Sequence, residues 1–510
     1  MAKHNNRKPY DADCVLAVCL TLIAFFIYFW GIKQNLPYAP EVDEKSIFVG
    51  RAVMMASTGN ANPNWFGNPG STVIYPLALA FRLAYGEGAQ QTFETAPSWF
   101  YFFGRLLSVS YSTMSIPLIY LFGKKIFEEK IGLLGAWFFI YTLLATMHFK
   151  IVRTDSAALF WGLVALWRIL VAHEKPTLRN QILAGGLIGL SVASRYFMIT
   201  LAPVLLLVNI IPLRQPVQKR DTIVAMCAGF LTIGLIFAVS TPYFFLDFST
   251  ALDNLRFEAR TEHIGADGLS KLGNFWWYIS AALPEALTWP QYILAIVGIC
   301  FAVLQKRTSI LLLGSYLIVF LFAISLSGLH WARWLIQILP LFNLFSAFAL
   351  FTLAKMIFKS RKMYLATAVL LMLFLTIAPI YETLLFDYRL SRPSTRVLAR
   401  NWIIENLPPG SHIFQEAYAA LLANTNYEVS EIFSLSQKGT LDFYTSNDYR
   451  YLVTSDNVYN RYFLEPERYS DEVTFYNELF ENGHLLTELK PSNIQGGYTI
   501  RIYEIIAPPP

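Results

Sequence analysis

Long apolar runs separated by short charged segments make up the first three quarters of the chain. A run that approaches the roughly 20 residues needed to cross a bilayer predicts a transmembrane helix. Eleven such runs predict a polytopic α-helical membrane protein with about eleven transmembrane helices. The predicted spans are 14–32, 99–122, 131–147, 156–172, 181–194, 197–213, 222–241, 290–304, 309–327, 331–353 and 364–381.

Two long segments between the spans are too polar to cross a bilayer. In the first, residues 39–97, apolar residues recur with helical spacing over 44–57 and 71–85, which predicts two helices lying along the membrane interface. The second, residues 241–290, mixes charged residues with aromatic ones. We expect both to be outer loops of a transmembrane domain that covers residues 1–382.

The chain changes character near residue 383, where helical and strand patterns begin to alternate. The pattern predicts helices over 394–406 and 470–481, and strands at SHIFQE, YRYLVTS and YTIRIYEI. Residues 383–510 are therefore expected to form a small α/β domain. They contain no Gly-rich phosphate loop, no Ser-His-Asp order and no metal-ligand spacing, so we expect the chemistry in the transmembrane part.

The composition agrees with a membrane protein, because 55% of the residues are hydrophobic and only 15% are charged. The net charge of +5 is better explained by lysine and arginine in particular loops than by nucleic-acid binding. The four cysteines all lie in apolar segments, which argues against a disulfide framework or a cysteine metal site.

The positions of lysine and arginine predict the orientation of the chain. Basic residues precede the first span and then recur in alternate short loops, which the positive-inside rule puts in the cytoplasm. An odd number of spans then puts the acidic segment 39–48 and the tail outside a plasma (inner) membrane. These basic residues are Lys3, Arg7, Lys8, Lys124, Lys125, Lys130, Lys175, Arg179, Arg214, Lys219, Arg220, Lys306, Arg307, Lys355, Lys359, Arg361 and Lys362.

The short loops on the predicted outer side carry ionisable residues that break this charge bias. Together with Asp43 and Glu44 they are His148, Lys150, Arg153, Asp155, Arg195, Tyr196, His330 and Arg333. A carboxylate facing several cations suits transfer from a lipid-linked phosphate, because a base can take a proton while cations stabilise the leaving phosphate. Structural explanations stay open: Asp43 could cap a helix, Asp155 could pair with Arg153, and Lys150 could reach lipid headgroups.

Several segments resemble the C-superfamily of integral-membrane glycosyltransferases (GT-C). An Asp-Glu pair precedes an interfacial helix and the segment TGNANPNWFGNPGSTVIYPL, and GRLLSVSYSTMSIPLIYLFGKKIF and HWARWLIQILPLF follow in that order. Within GT-C, the chain is most similar to the branch of protein O-mannosyltransferases and lipid A aminoarabinose transferases. The tail also resembles the exported tails of bacterial and archaeal members.

This resemblance implies an inverting hexosyl- or pentosyltransferase that takes one sugar from a polyprenyl-phosphate donor. It implies that Asp43 activates the acceptor hydroxyl and that Glu44 is the second acid of the pair. Basic residues of the outer loops would bind the donor phosphate, with Arg153, Arg195, Arg333 and Lys150 as candidates by position. The acceptor could be a glycan, a lipid or a protein.

Two positions depart from the aminoarabinose transferases, which have an arginine and a lysine where this chain has Ser46 and Asn68. Lys45 or Arg51 could replace those phosphate contacts, and the departure argues against aminoarabinose as the sugar and lipid A as the acceptor. Some GT-C enzymes use a divalent metal, but the sequence offers no firm ligand set.

Two other classes of membrane protein are alternatives. A lipid-linked sugar flippase or transporter would place charges near the bilayer midplane and show symmetry between its halves, and the sequence shows neither. A non-catalytic glycan-assembly protein would act through its exported tail.

Overall fold

The structure, a computed structural model, describes residues 12–38, 41–210 and 219–505. Four basic residues used to predict orientation, Lys3, Arg7, Lys8 and Arg214, lie outside the described residues. The chain divides into two compact units. The larger unit takes in residues 1–30 and 43–384, and the smaller unit takes in 31–42 and 385–510.

The larger unit is helical. Its α-helices are α1 (Ala12–Phe29), α2 (Gly50–Thr58), α3 (Ser71–Tyr85), α4 (Ala89–Thr95), α5 (Ser98–Ile126), α6 (Glu129–Ile140), α7 (Leu143–Phe149), α8 (Asp155–Glu174), α9 (Leu178–Ser194), α10 (Leu201–Ile210), α11 (Lys219–Ser240), α12 (Tyr243–Leu246), α13 (Phe248–Glu258), α14 (Lys271–Trp277), α15 (Leu283–Leu287), α16 (Trp289–Leu304), α17 (Thr308–Ser325), α18 (Leu339–Ile357) and α19 (Arg361–Leu390). Two π-helical segments lie at Glu44–Val49 and Tyr278–Ala282, and 3₁₀ turns lie at Gly86–Gly88, Tyr196–Thr200 and Ala332–Gln337.

Within the described ranges, seven helices are long and apolar enough to cross a membrane, and nine are if each of two bent helix pairs counts as one span. The predicted number was about eleven. All eleven predicted segments fall on helices where the structure describes them, and residues 211–213 of the predicted span 197–213 lie outside the described residues. The difference comes from α9 and the run Tyr196–Ile210, which are shorter than a full span. A polytopic helical membrane protein with a small C-terminal sheet domain is confirmed.

The second long loop predicted from the sequence, 241–290, is largely helical in the structure. Helices α12 to α15 occupy it, and Lys271–Leu287 forms a bent pair with α16 at an angle of 116°. Thr288 has a positive φ of 67° at this bend. The sequence pattern missed these helices because polar residues interrupt the apolar spacing over most of the segment.

Helices of the larger unit approach one another closely at small residues. A Cβ atom on Gly185 of α9 would lie 1.9 Å from the carbonyl oxygen of Gly229 in α11, so only glycine allows this separation. Small residues at helix crossings are typical of membrane proteins, where close backbone packing replaces the hydrophobic effect.

The smaller unit contains a five-stranded sheet in the order β2-β1-β3-β5-β4. Its strands are β1 (His412–Glu416), β2 (Glu428–Ile432), β3 (Tyr451–Ser455), β4 (His484–Leu489) and β5 (Ile500–Glu504), and its helices are α20 (Thr395–Asn406), α21 (Leu441–Ser446), α22 (Asp456–Phe463) and α23 (Ser470–Asn482), with a 3₁₀ turn at Leu435–Lys438. Strand β1 runs parallel to β2 and β3, whereas β5 is antiparallel to β3 and β4. Ile403 of α20 packs with Ile413, Val453 and Ile502 in the core. The functional division between the two units stays a prediction.

Candidate active site

The site is organised around an ion pair between Asp43 and Arg153. Asp43 directly precedes the π-helix Glu44–Val49, but its carboxylate makes no capping hydrogen bond to that helix. The carboxylate instead accepts a hydrogen bond from Nη2 of Arg153, in the segment between α7 and α8. The Asp43 side chain remains 36% exposed and that of Arg153 12% exposed, so the acid is the more accessible partner.

A second ion pair joins Arg195 to Asp155. Arg195 follows the end of α9, Asp155 is the first residue of α8, and their side chains are 6% and 1% exposed. Arg195 also lies over the ring of Phe197, with 4.7 Å between the guanidinium carbon and the ring centre. Asp155 therefore forms its ion pair with Arg195, and it also interacts electrostatically with Arg153.

Arg333 is the third arginine of the cluster and has no carboxylate within ion-pair distance among the described residues. Its guanidinium carbon lies 4.6 Å from the centre of the Trp331 ring, and its Nε atom is buried without a hydrogen-bond partner. Arg333 also interacts electrostatically with Arg153 and Arg195. An arginine stays protonated at neutral pH, so its guanidinium is available to an anion.

The three arginines and Asp43 belong to one electrostatic cluster. Arg195 and Arg333 each interact with Arg153 and with Asp43. These residues come from four separate segments of the chain. Each of them lies at or near the end of a helix. An anionic group entering this cluster would meet positive charge beside a partly exposed carboxylate.

Glu44, the second predicted catalytic acid, lies outside this accessible cluster. Its side chain is fully buried, and both carboxylate oxygens accept hydrogen bonds of 2.8 Å from Arg105 of α5. Oε1 also accepts a hydrogen bond from the main-chain N–H of Val152 at 3.1 Å. This environment gives Glu44 no surface for a substrate.

The three other predicted phosphate contacts differ in their surroundings. The ammonium group of Lys150 is buried and donates to the carbonyl oxygens of Ile27 and Trp30, where it caps the end of α1. Arg51 donates to the Pro63 carbonyl at 2.6 Å and lies over Trp65. Both groups are therefore used within the protein. Lys45 is exposed.

The remaining candidates surround the cluster. Nδ1 of His148 donates a hydrogen bond of 2.8 Å to the Leu144 carbonyl, and the ring interacts electrostatically with Asp155. The Tyr196 hydroxyl donates to the Phe66 carbonyl at 2.6 Å. His330 donates its main-chain N–H to Ala266 and packs its ring against Trp277.

The helical segment after α11 packs against the first loop. Asn254 of α13 accepts a hydrogen bond of 2.7 Å from the main-chain N–H of Phe66. Glu258, at the end of α13, interacts electrostatically with Arg195. The second long segment thus contributes an acid to the surroundings of the cluster.

A mainly apolar cavity of about 470 Å³ lies beside α3. Its lining includes Thr72, Trp161 and Leu190. The hydroxyl of Thr72 hydrogen-bonds the hydroxyl of Ser194, the residue before Arg195. Trp161 follows Asp155 by six residues in α8, and Leu190 precedes Arg195 by five, so these two lining residues lie roughly 8 Å along their helices from Asp155 and Arg195.

A family model described as dolichyl-phosphate-mannose-protein mannosyltransferase matches residues 101–242. Two structures of ArnT from Cupriavidus metallidurans have a similar fold, each with a TM-score of 0.52. The structure bound to undecaprenyl phosphate is 12% identical, and the match covers 97% of this chain and 98% of the ArnT chain. The apo structure is 13% identical, and the match covers 96% of this chain and 97% of the ArnT chain. The Archaeoglobus fulgidus oligosaccharyltransferase in complex with Zn and sulfate is 13% identical, with a TM-score of 0.51 and coverages of 94% and 72%.

The resemblance to the GT-C superfamily is confirmed. The family model covers less than half of the chain. At these identities the solved structures show the fold alone, and no curated protein matches the chain in sequence. The family match includes Arg105, Arg153 and Arg195 but ends before Arg333 and begins after Asp43.

The divalent metal that some GT-C enzymes use finds no prepared ligand set in the part of the chain that the structure describes. No group of three or more His, Cys, Asp or Glu side chains there could hold a metal ion. Asp43 and Asp155 are each engaged by an arginine.

Arg105 is the residue of this region that sequence reasoning missed. It lies within the apolar run of α5, and an arginine within a transmembrane helix is costly unless it is paired. That rule alone would have predicted a buried acidic partner for it. The sequence did not indicate that the partner would be Glu44, because the two residues are 61 positions apart.

Proposed function

We propose that this protein is a membrane glycosyltransferase that moves a single sugar from a polyprenyl-phosphate-linked donor to an acceptor hydroxyl with inversion. Asp43 is the general base, and Arg333 binds the donor phosphate together with Arg153 and Arg195. The observation that carries this proposal is the partly exposed carboxylate of Asp43 within a cluster of three arginines, one of which, Arg333, has no ion-pair partner in the described part of the chain.

In the proposed reaction, Asp43 takes the proton of the acceptor hydroxyl as the oxygen attacks the anomeric carbon. The bond between that carbon and the phosphate oxygen breaks, and polyprenyl phosphate leaves with the electron pair. The arginines stabilise the negative charge that grows on the phosphate, and their fixed fork of donors matches its oxygens. Arg153 also holds the Asp43 carboxylate in position.

Two comparisons support a lipid-phosphate donor. The matching family is described by dolichyl-phosphate-mannose, and one similar ArnT structure holds undecaprenyl phosphate. The apolar cavity supports the same proposal, because its lining residue Thr72 is hydrogen-bonded to Ser194, next to Arg195, and an isoprenoid chain attached to a phosphate there could reach it. The distribution of basic loops supports a plasma-membrane protein that acts on the extracytoplasmic face.

The test is transfer activity of Asp43→Asn in lipid nanodiscs. Mass spectrometry of copurifying lipids first identifies the headgroup, and that lipid then serves as donor. Loss of a general base should lower the transfer rate by about 100- to 10,000-fold, while binding of undecaprenyl phosphate, followed by native mass spectrometry, stays within twofold of wild type.

Asp253→Asn is the matched control, since Asp253 is an exposed acid paired with Arg256 in α13. It should retain wild-type transfer. Full activity of Asp43→Asn would remove Asp43 from the mechanism. Movement of the lipid across the bilayer without sugar transfer would favour the transporter.

A further inference from the structure

Glu44 and Val152 each directly neighbour one partner of the Asp43–Arg153 pair. The Glu44 carboxylate accepts a hydrogen bond from the Val152 N–H. The segment 43–44 and the segment 152–153 are therefore joined at two adjacent positions, once by this hydrogen bond and once by the ion pair. One link is the accessible ion pair, and the other is a fully buried hydrogen bond. The buried link fixes the spacing of the segments that carry the accessible one.

Arg105 anchors this buried link to α5. Its Nε and Nη2 atoms donate to the two oxygens of Glu44 at 2.8 Å each, and both side chains are fully buried. A two-point arginine–carboxylate contact fixes orientation as well as distance. Burial of such a charged pair costs free energy unless the geometry is good, so it is weak evidence for stability and better explained by positioning.

Gly104 shows that Val152 also packs directly against α5. A Cβ atom at position 104 would lie 2.6 Å from Cγ2 and 3.3 Å from Cγ1 of Val152. The glycine therefore lets the segment before Arg153 approach the helix closely enough for Glu44 to reach the Val152 amide. Adjacent residues of α5 thus hold both segments.

We infer that Glu44, Arg105 and Val152, with Gly104, form a positioning clamp that sets the distance between Asp43 and Arg153. Glu44 is then a positioning residue, and its buried carboxylate does not touch the substrate. This inference deepens the proposed function and rests on it only for the role of the pair that is positioned. The clamp itself can be measured without sugar transfer.

The experiment compares Glu44→Gln and Arg105→Lys with wild type in nanodiscs by two readouts. The first is exchange of the Val152 amide hydrogen, resolved by mass spectrometry with residue-level fragmentation. The second is steady-state kinetics with the copurified donor lipid, from which kcat and KM are determined separately. Both variants should speed exchange at Val152 at least tenfold and lower kcat at least tenfold, with KM within twofold of wild type.

Glu128→Gln is the matched control, because Glu128 forms a 2.8 Å pair with Lys355 and lies outside the site. It should change neither readout. Gly104→Ala provides a second test if a buried-charge variant fails to fold, and it should also speed exchange at Val152 and lower kcat.

Wild-type exchange and kcat in folded Glu44→Gln would overturn the clamp. A fall in kcat with wild-type exchange at Val152 would also overturn it, since Glu44 would then act on the chemistry directly. Full activity of Asp43→Asn would instead overturn the proposed base, while the exchange readout would still decide the clamp.

Discussion

The carboxylate of Asp43 pairs with the guanidinium of Arg153 instead of capping the helix that begins at the next residue. This relationship removes the simplest structural explanation for an acid at that position. Arg153 is the less exposed partner, and the Asp43 side chain stays partly exposed while it is paired. An acceptor could therefore still reach Asp43. The same arginine interacts with Arg195 and Arg333, which connects the proposed base to the proposed phosphate site.

Replacing Arg333 by alanine should weaken donor binding. A hydrogen bond to a charged group contributes about 1.5–3 kcal/mol, so the Kd for undecaprenyl phosphate should rise about 10- to 100-fold. Native mass spectrometry over a range of lipid concentrations measures this change. Arg256→Ala removes an exposed arginine that is paired with Asp253 and should leave the Kd unchanged. An unchanged Kd in Arg333→Ala would place the phosphate elsewhere.

Replacing Lys150 by methionine should affect stability and not donor binding. The buried ammonium of Lys150 donates to the carbonyls of Ile27 and Trp30, and its loss leaves these acceptors without that donor. Unsatisfied buried groups cost about 1–3 kcal/mol each, so the protein should unfold at a lower temperature. Thermal unfolding in detergent measures the shift. A large rise in the Kd for undecaprenyl phosphate, with unchanged stability, would instead support the predicted phosphate contact.

The apolar pattern predicted the long apolar helices of the larger unit, but neither helices α12 to α15 nor the breaks between bent helices. Residues 131–147 were predicted as one span, whereas α6 and α7 meet there at an angle of 64°. Local hydrophobicity carries no information on such bends, which depend on packing against neighbouring helices. In the smaller unit, the pattern predicted β1, β3 and β5 but missed β2 and β4. Those two strands lie at the edges of the sheet and are less buried, so their apolar alternation is weak.

The predicted side of the membrane and the family resemblance together indicated which residues could form the cluster. They did not indicate which of these residues would have which role. Arg153, Lys150 and Arg195 share the same type of position in sequence, at a span end on one predicted side. The structure separates them because Lys150 is directed to the end of α1, whereas Arg153 and Arg195 pair with acids. Such differences arise from contacts between distant segments, and one sequence does not reveal them.

In the smaller unit, Glu416 provides a pH-dependent contribution to stability. It lies at the end of β1 and is fully buried, where it accepts hydrogen bonds from the main-chain N–H groups of Leu435 at 3.2 Å and Ser455 at 2.8 Å and from the Tyr476 hydroxyl. Burial raises the pKa of Glu416 to about 7, against the lowering effect of these donors. The folded protein therefore holds this proton more tightly than the unfolded chain does.

The sign of the effect follows from proton linkage. Below pH 4.5 the side chain is protonated in both states, and its titration contributes nothing to the pH dependence. Between pH 4.5 and 7 the unfolded chain loses the proton first, so the free energy of unfolding should fall as pH rises, by roughly 3 kcal/mol in all. Glu416→Gln should remove this slope, because glutamine does not titrate.

Hydrogen exchange of the full chain at pH 5 and pH 8, corrected for the intrinsic exchange rate, measures the local unfolding free energy of β1 and β3. Wild type should lose protection between these pH values, and Glu416→Gln should lose much less. Glu431→Gln on the neighbouring strand is the control, since Glu431 is exposed and bonded to Gln415, and it should behave as wild type. Equal slopes in wild type and Glu416→Gln would mean that the three donors keep the folded carboxylate ionised, and that their hydrogen bonds outweigh the cost of burial.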